Sequence, residues 1–326
     1  MKTSDRILEV LYDRREGYVA LEELAAAVGV APADLERELD AMFGSWYRLE
    51  YSPPDGVRLL PPVPLSPHLI ERGLPERRVG RSVLCFEVVG STNDVALEAI
   101  RQEGADGLVV VAEAQSRGRG RRGRAWVSSP HQNVLLSALL IEPVGRRAPP
   151  HEALTIATGL ATAEAIEEAA GLPCELKWPN DVLLDGAKVA GVLVEMRREG
   201  ETLGVVLGVG INANRAPPAD EVDRRATCLA DHLAHPADRI AIVRALLGRL
   251  DAWVARVAAG RLDELHTGFL ARCRMVNQRL TVLCDGRRHS GRVLDVDPLE
   301  GLVLCLDDGS RTRLPAARAT VLAEVR

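Results

Sequence analysis

The apolar positions change their period twice along the chain. In the first sixty residues they recur at helical spacing. Ile7, Leu8, Val10 and Leu11 form one stripe, VALEELAAAVGV reads as a second helix halted near Gly29, and APADLERELDAM reads as a third with Pro32 at its start. Helix, glycine-containing turn and helix predict a helix-turn-helix. WYRLEYSPPDGVRLL, which alternates around a P-D-G turn, predicts a small β-wing. Six prolines between Pro53 and Pro67 then predict a semi-rigid boundary.

From about residue 80 strands and helices intermix. VLCFEVV is followed by a helix from Asn93 to Gln102, then by GLVVVAEA, NVLLSALLIE, a long Ala-rich helix from about His151 to Ala170, and CELKWPNDVLL. KVAGVLVEM and TLGVVLGVGIN flank a turn at Glu199 to Glu201, and helices near 238–258 and 261–272 close the unit. The expectation is an α+β chain whose central α/β domain has a mixed, hairpin-rich sheet. Residues 275–326 lose the helical period. Their short strands, separated by D-G, D-P and D-D-G turns, predict a small SH3-like β-barrel. The expected domains are therefore 1–62, a proline-rich linker 63–80, 81–273 and 274–326.

At 326 residues, two or three domains are the natural expectation, and 47% hydrophobic with 27% charged residues is an ordinary globular composition. No apolar run approaches the roughly 18 residues that span a bilayer, and MKTSDRILEV lacks the apolar core and cleavage site of a signal peptide. A cytoplasmic protein without a membrane partner is expected. Cys85, Cys174, Cys228, Cys273, Cys284 and Cys305 show neither C-x-x-C pairing nor zinc-ligand spacing, and read as small buried hydrophobes in a reducing compartment. The net charge of −5 resides in residues 1–62, with 7 basic against 12 acidic side chains; the rest of the chain is neutral.

Against that balance, RGRGRRGR at 117–124 places five arginines and three glycines in eight positions. A solvated surface loop is the bland reading. Gly118, Gly120 and Gly123 match a dinucleotide fingerprint letter for letter, but such a fingerprint must open a helix, and here RAWVSSPHQN follows. A nucleic-acid arm fits poorly with an internal position, neutral surroundings and 3% aromatic residues. A loop that closes on a small anionic ligand fits the neighbouring features better. Lys188 lies in an apolar run beside Ala187, Ala190 and Gly191, where small neighbours let a ligand approach the strand, although a strand lysine is commonly an outward, solvated one. GSTND at 90–94 ends a strand and opens a helix; at least one of Ser91, Thr92, Asn93 and Asp94 is expected to cap it.

S-T-N, A-E-x-Q-x-x-G-R-G-R-R-G-R-x-W, K-W-P-N-D with K-x-A-G-x-L-V-E, and G-x-G-I-N occur here in that order. With them the chain resembles the biotin protein ligases, and more closely the bifunctional form that carries an N-terminal winged helix and represses the biotin operon. The resemblance spans nearly the whole chain. It implies a class II synthetase-like catalytic domain between the winged helix and the SH3-like barrel. It also implies a two-step reaction: biotin and ATP give biotinyl-5′-adenylate and pyrophosphate, and the acyl group then passes to one lysine of a biotin carboxyl carrier domain of acetyl-CoA carboxylase or a related carboxylase.

By motif position, Ser91, Thr92, Asn93 and Gln115 would bind the biotin head group, with Gly118, Arg119, Gly120 and Arg121 closing over it. Lys188 would sit between the biotin carboxylate and the α-phosphate, and Arg121 and Asp181 would join it as catalytic residues. Arg119, Arg121, Arg122, Arg124, Trp126, Asn180 and Asn212 would bind ATP or the adenylate. Mg²⁺ should accompany ATP, and Asp181 is the candidate to orient it or the incoming lysine. The chemistry agrees with these roles. A carboxylate must approach a phosphate, so cations aimed at the reacting oxygens supply the stabilisation, lysine as a point charge and arginine as a fork.

Five like charges on a glycine-rich backbone further suggest a loop that orders only when an anion arrives, as a lid over a hydrolysable mixed anhydride. The would-be recognition helix presents Asp34, Glu36, Glu38 and Asp40 against only Arg37, which disfavours DNA binding, since phosphate contact needs cations. A repressor that uses the adenylate only as a signal and a lipoate-type ligase are the alternatives; a homodimer is left open.

Overall fold

A computed structural model describes residues 2–43, 47–143, 149–222 and 225–324. The N-terminal unit holds helices α1 (Thr3–Asp13), α2 (Leu21–Val28) and α3 (Pro32–Phe43) and an antiparallel hairpin of β1 (Leu49–Ser52) and β2 (Gly56–Leu59). Trp46, part of the expected wing, lies outside the described residues. Gly29 ends α2 at φ +72, the left-handed conformation that glycine adopts without penalty. Leu35, Leu39 and Met42 bury one side of α3, while Asp34, Glu36, Arg37 and Asp40 are exposed on the other. Arg37 is spent on Asp34, 2.7 Å away.

The proline-rich stretch is packed rather than a free spacer. It carries a short helix α4 (Pro67–Glu71), and Leu65, Leu69, Ile70 and Val79 are fully buried. The prolines stiffen the backbone, but the apolar residues between them have surface to bury, so the segment folds onto the molecule. One continuous hydrophobic core runs from Ile7 through these residues to Val321.

The central unit is a seven-stranded sheet of β3 (Ser82–Val89), β4 (Leu108–Gln115), β5 (Val134–Pro143), β6 (Glu175–Lys177), β7 (Asp181–Leu184), β8 (Ala187–Glu199) and β9 (Thr202–Ile211). The spatial order is β3-β4-β5-β9-β8-β7-β6, parallel only between β3 and β4. Between those two runs α5 (Thr92–Glu98), which tightens into a 3₁₀ turn at Ala99–Arg101 where the sequence predicted continuous helix. Alternate strand residues serve the two faces. Val110, Leu139 and Val206 pack under α5, whereas Val109, Val111, Leu140 and Val205 join the main core. That core includes α6 (His151–Ala170) and α7 (Arg239–Ala258), with α8 (Leu262–Arg272) beside them. Thr155, Thr158 and Thr162 of α6 tolerate burial because each hydroxyl donates to the carbonyl four residues earlier.

A five-stranded antiparallel sheet completes the chain: β10 (Arg279–Cys284), β11 (Arg287–Asp297), β12 (Gly301–Leu306), β13 (Arg311–Leu314) and β14 (Ala319–Glu324), ordered β13-β12-β11-β10-β14. All six cysteines are free and four are buried, as expected. Among the described residues no helix is long and apolar enough to cross a membrane.

Candidate active site

A cavity of about 350 Å³ opens on the α5 side of the sheet, where the arginine loop, the central strands and the last strand of the C-terminal sheet converge. Of the residues expected in the site, Ser91, Thr92, Asn93, Gln115, Arg119, Gly120, Arg121, Arg122, Arg124, Trp126, Asn180, Asp181, Lys188 and Asn212 all line it. Gly118 does not. Its carbonyl accepts from the Trp126 N–H at 3.0 Å, and a Cβ there would strike the Trp126 carbonyl, so its part is to let the two strands of the loop close.

At one end of the cavity stands a polar cluster. None of the expected side-chain caps of α5 forms; instead Gln115 Oε1 accepts from the Thr92 N–H at 2.7 Å and from its hydroxyl at 3.1 Å. Ser137 Oγ donates toward Thr92 Oγ1 at 2.7 Å and Asn93 Oδ1 at 2.5 Å, and Asn93 Nδ2 donates to Glu195 Oε2 at 2.7 Å. Ser91, Thr92, Asn93 and Ser137 are all buried, so their rotamers are fixed by partners rather than by solvent. Arg119 reaches the same cluster, 2.7 Å from Glu195 and 2.8 Å from Asp94.

The other end is cationic. A bulge in the β7–β8 pairing brings Leu183 opposite Lys188 immediately after Val182 opposite Ala190, and such an extra residue re-aims the side chains beside it. Lys188 Nζ lies 2.5 Å from Asp181 Oδ1 and 5.4 Å from the centre of the Trp126 ring. Its backbone is held on the free side by Arg225 O and the Thr227 N–H, both at 3.0 Å. Asp181 is therefore the partner of Lys188. No group of three His, Cys, Asp or Glu side chains that could hold a metal occurs among the described residues.

The arginine loop is a closed turn. Arg119 and Ala125 form an isolated bridge, the Gly120 N–H donates to Arg124 O at 2.7 Å, and Arg122 and Gly123 take φ values of +58 and +73. The expected dependence on an anion is thus modified, because the protein supplies acceptors of its own. Arg121 donates to Asn180 Oδ1 at 3.3 Å and to the carbonyls of Ala316 and Ala319; Arg122 donates to Thr320 Oγ1 and Arg318 O. Burial, helped by the neighbouring charges of Arg122 and Arg124, pulls the Arg121 guanidinium down to about 10, still fully cationic at neutral pH. Arg124 is exposed at the rim.

Two polar atoms of the lining are buried without a hydrogen-bond partner: Trp126 Nε1, a donor, and Asn212 Oδ1, an acceptor whose amide nitrogen is already given to Thr227 O. Buried groups of this kind carry a cost that a ligand with matching groups removes.

Sequence reasoning missed Ser137, Glu195, Gly208, Gly210 and Thr320, while Gly191, expected to let a ligand approach Lys188, does line the cavity. Ser137 was visible as the one polar residue inside NVLLSALLIE, and Glu195 ends a motif already quoted. Thr320 and Val321 enter from the far end of the chain, where no local pattern marks them.

Residues 85–212, which supply most of this cavity, match the biotin/lipoate A/B protein ligase family. The chain belongs to that family. It is 30% identical over 245 residues to the bifunctional ligase/repressor BirA of Bacillus subtilis, covering 74% of this chain and 75% of that protein. To the biotin–[acetyl-CoA-carboxylase] ligase of Mycobacterium tuberculosis it is 36% identical over 268 residues, covering 78% and 95%. Among solved structures, the biotin protein ligase of Aquifex aeolicus in complex with biotin and ATP shares the fold with a TM-score of 0.64 at 24% identity, over 74% of this chain and 99% of that one.

Proposed function

We propose that this protein is an ATP-dependent biotin protein ligase whose cavity makes biotinyl-5′-adenylate and then passes biotin to a lysine of a carboxyl carrier domain. In the first step a biotin carboxylate oxygen bonds to the α-phosphorus and the bond to pyrophosphate breaks. In the second the lysine amine bonds to the acyl carbon, loses a proton, and AMP leaves. Both reacting groups of the first step are anions, so the pairing of a lysine with an arginine loop over one cavity is the observation that carries the reading.

Lys188 in this reading lies between carboxylate and phosphate, with Asp181 and the Trp126 ring holding its ammonium in place. Ser91, Thr92, Asn93 and Gln115 take the biotin head group. Arg119, Gly120 and Arg121 cover it, and Arg121, Arg122, Arg124 and Asn180 face the phosphates. The orphaned Asn212 Oδ1 suits the exocyclic amine of adenine, beside Trp126. With Asp181 given to Lys188, Mg²⁺ arrives on the ATP phosphates, which is its usual habit. The test is transfer of labelled biotin, against labelled lipoate, from ATP to an apo carrier domain of acetyl-CoA carboxylase.

We assign 1–62 to a winged helix-turn-helix, 63–80 to the connecting segment, 81–273 to the ligase domain and 274–326 to an SH3-like barrel. The free, buried cysteines and the need for ATP support a cytoplasmic location. Operator binding is disfavoured by the exposed acids of α3, whose single arginine is paired within the helix; tight, specific retardation of a biotin-synthesis promoter at low salt would reverse that view. Sedimentation at rising concentration tests homodimerisation.

A further inference from the structure

Four strands of the C-terminal sheet align a row of arginines. Arg279 stands opposite Arg292, Arg292 opposite Cys305, and Cys305 opposite Arg311. Their strand neighbours Leu280, Val293 and Leu304 are buried, so alternation turns this row away from the core. Nearer the active site the same face continues as Arg288 opposite Leu283 and Leu283 opposite Thr320. Thr320 lines the catalytic cavity and accepts from Arg122 of the arginine loop. Two strand spacings, about 10 Å, therefore separate the cavity rim from Arg288.

Some of this charge is neutralised locally. Asp307 pairs with Arg279, Glu300 with Arg313 and Asp285 with Arg318, while Asp295 faces His266. Arg288, Arg292 and Arg311 on this face are exposed, and no acidic partner occurs for them among the described residues. Like charges directly opposite each other weaken a sheet, as Arg279 and Arg292 must. Their concentration on one face, without acids to balance them there, points to a partner outside the chain.

We propose that this arginine face docks an acidic surface on the acceptor carrier domain and guides its lysine past Thr320 into the cavity. The proposal rests on the ligase reading above, because it concerns the acceptor of the second step. A protein partner is favoured over a nucleic acid because residues 274–326 contain no Phe, Tyr or Trp on which bases could stack. Contact beside the rim places the docked domain where its lysine reaches the adenylate. Charge of this kind acts mainly on encounter, so it should appear in KM and in salt dependence rather than in kcat.

The test uses the full chain with Arg288→Glu and Arg292→Glu together, and the milder Arg288→Ser with Arg292→Ser. Biotinyl-adenylate formation is followed as pyrophosphate release without acceptor, and transfer is followed with the apo carrier domain at low and high salt. Adenylate formation should match the wild type, which also shows that the variants fold. KM for the carrier should rise roughly tenfold at low salt in the Glu pair and less in the Ser pair, with kcat unchanged. Wild-type kcat/KM should fall with added salt and the Glu pair's should not. An unchanged KM in both variants overturns the docking face, as does a loss of nucleic-acid retention without a change in KM. Failure of the wild type to form the adenylate would overturn the ligase reading instead.

Discussion

Gly208 and Gly210 lie one residue apart on β9 and both line the cavity, yet they stand against different parts of it. A methyl group at Gly208 would collide with Asn93 Oδ1 and come within 2.9 Å of Leu193 O. At Gly210 it would lie 2.7 Å from Trp126 Nε1 and closer still to two ring carbons. Carbon contacts settle at about 3.5–4.0 Å, so Gly210→Ala requires Trp126 to move by about 1 Å. The Trp126 backbone N–H is bonded to Gly118 O and its ring carries the Lys188 ammonium, so the arginine loop and the lysine move with it. Misplacement of about 1 Å costs up to about a hundredfold in rate. Gly210→Ala should therefore raise KM for ATP and lower kcat, together by roughly ten- to a hundredfold in kcat/KM, while KM for biotin stays within about threefold. Gly208→Ala should do the reverse, because its clash falls on the Asn93–Ser137–Glu195 cluster. Pyrophosphate release, measured with each substrate varied in turn, decides the matter. If Gly210→Ala leaves the ATP dependence alone, or both variants act on the same substrate, the division of the cavity is wrong.

Other outcomes follow from the packing around the site. Glu113 and Arg239 form an ion pair with both side chains 1% exposed, and they also hold Leu65 N–H and Val63 O of the proline-rich stretch. Glu113→Ala leaves a buried guanidinium unpaired and should lower stability by about 3–5 kcal/mol in urea unfolding, whereas Glu113→Leu with Arg239→Met should recover only part of it, because Leu65 N–H and Val63 O lose their partners. Glu195→Gln takes one of two acidic partners from Arg119, so AMP production without acceptor should rise several-fold as the lid loosens; an unchanged ratio of leakage to transfer would refute the latch. Hydrogen bonds from His68 and Arg72 hold the Glu9 carboxyl below its usual 4.5, and one from Arg72 does the same for Asp13 below 3.8. Both contributions are complete above those values and are lost as pH falls through the lowered ones, so the thermal midpoint should drop on acidification below about pH 4.5. Arg72→Met should flatten that dependence.

Much of the fold was legible where one element satisfies its own pattern. The extent of the Ala-rich α6, the Gly29 stop of α2 and the turn joining β8 to β9 follow from local composition and punctuation, and the structure has them at the expected places. The packed proline-rich stretch was not legible, because proline density signals stiffness while the burial of Leu65, Leu69 and Ile70 depends on partners far along the chain. Within the site, fourteen expected residues reach one cavity because the quoted motifs carry them. The cap of α5 was misassigned to its own side chains because Gln115, more than twenty residues on, takes their role. The bulge that aims Lys188 and the acceptors that the turn before β14 offers to Arg121 and Arg122 are tertiary facts without a local signature. The arginine loop thus shows the limit of composition: its charge suggested a ligand, but its resting partners are the carboxylates of Asp94 and Glu195 and acceptors of residues 316–320.

Lys188 tests the central claim most directly. In single-turnover experiments with labelled biotin, ATP and an apo carrier domain, the wild type should form biotinyl-adenylate and transfer it, and should reject lipoate. Lys188→Ala should slow adenylate formation by about a hundred- to a thousandfold, as expected for a cation that meets charge in the transition state. Transfer from supplied biotinyl-adenylate should fall far less. Adenylate formation at the wild-type rate in Lys188→Ala would contradict the account.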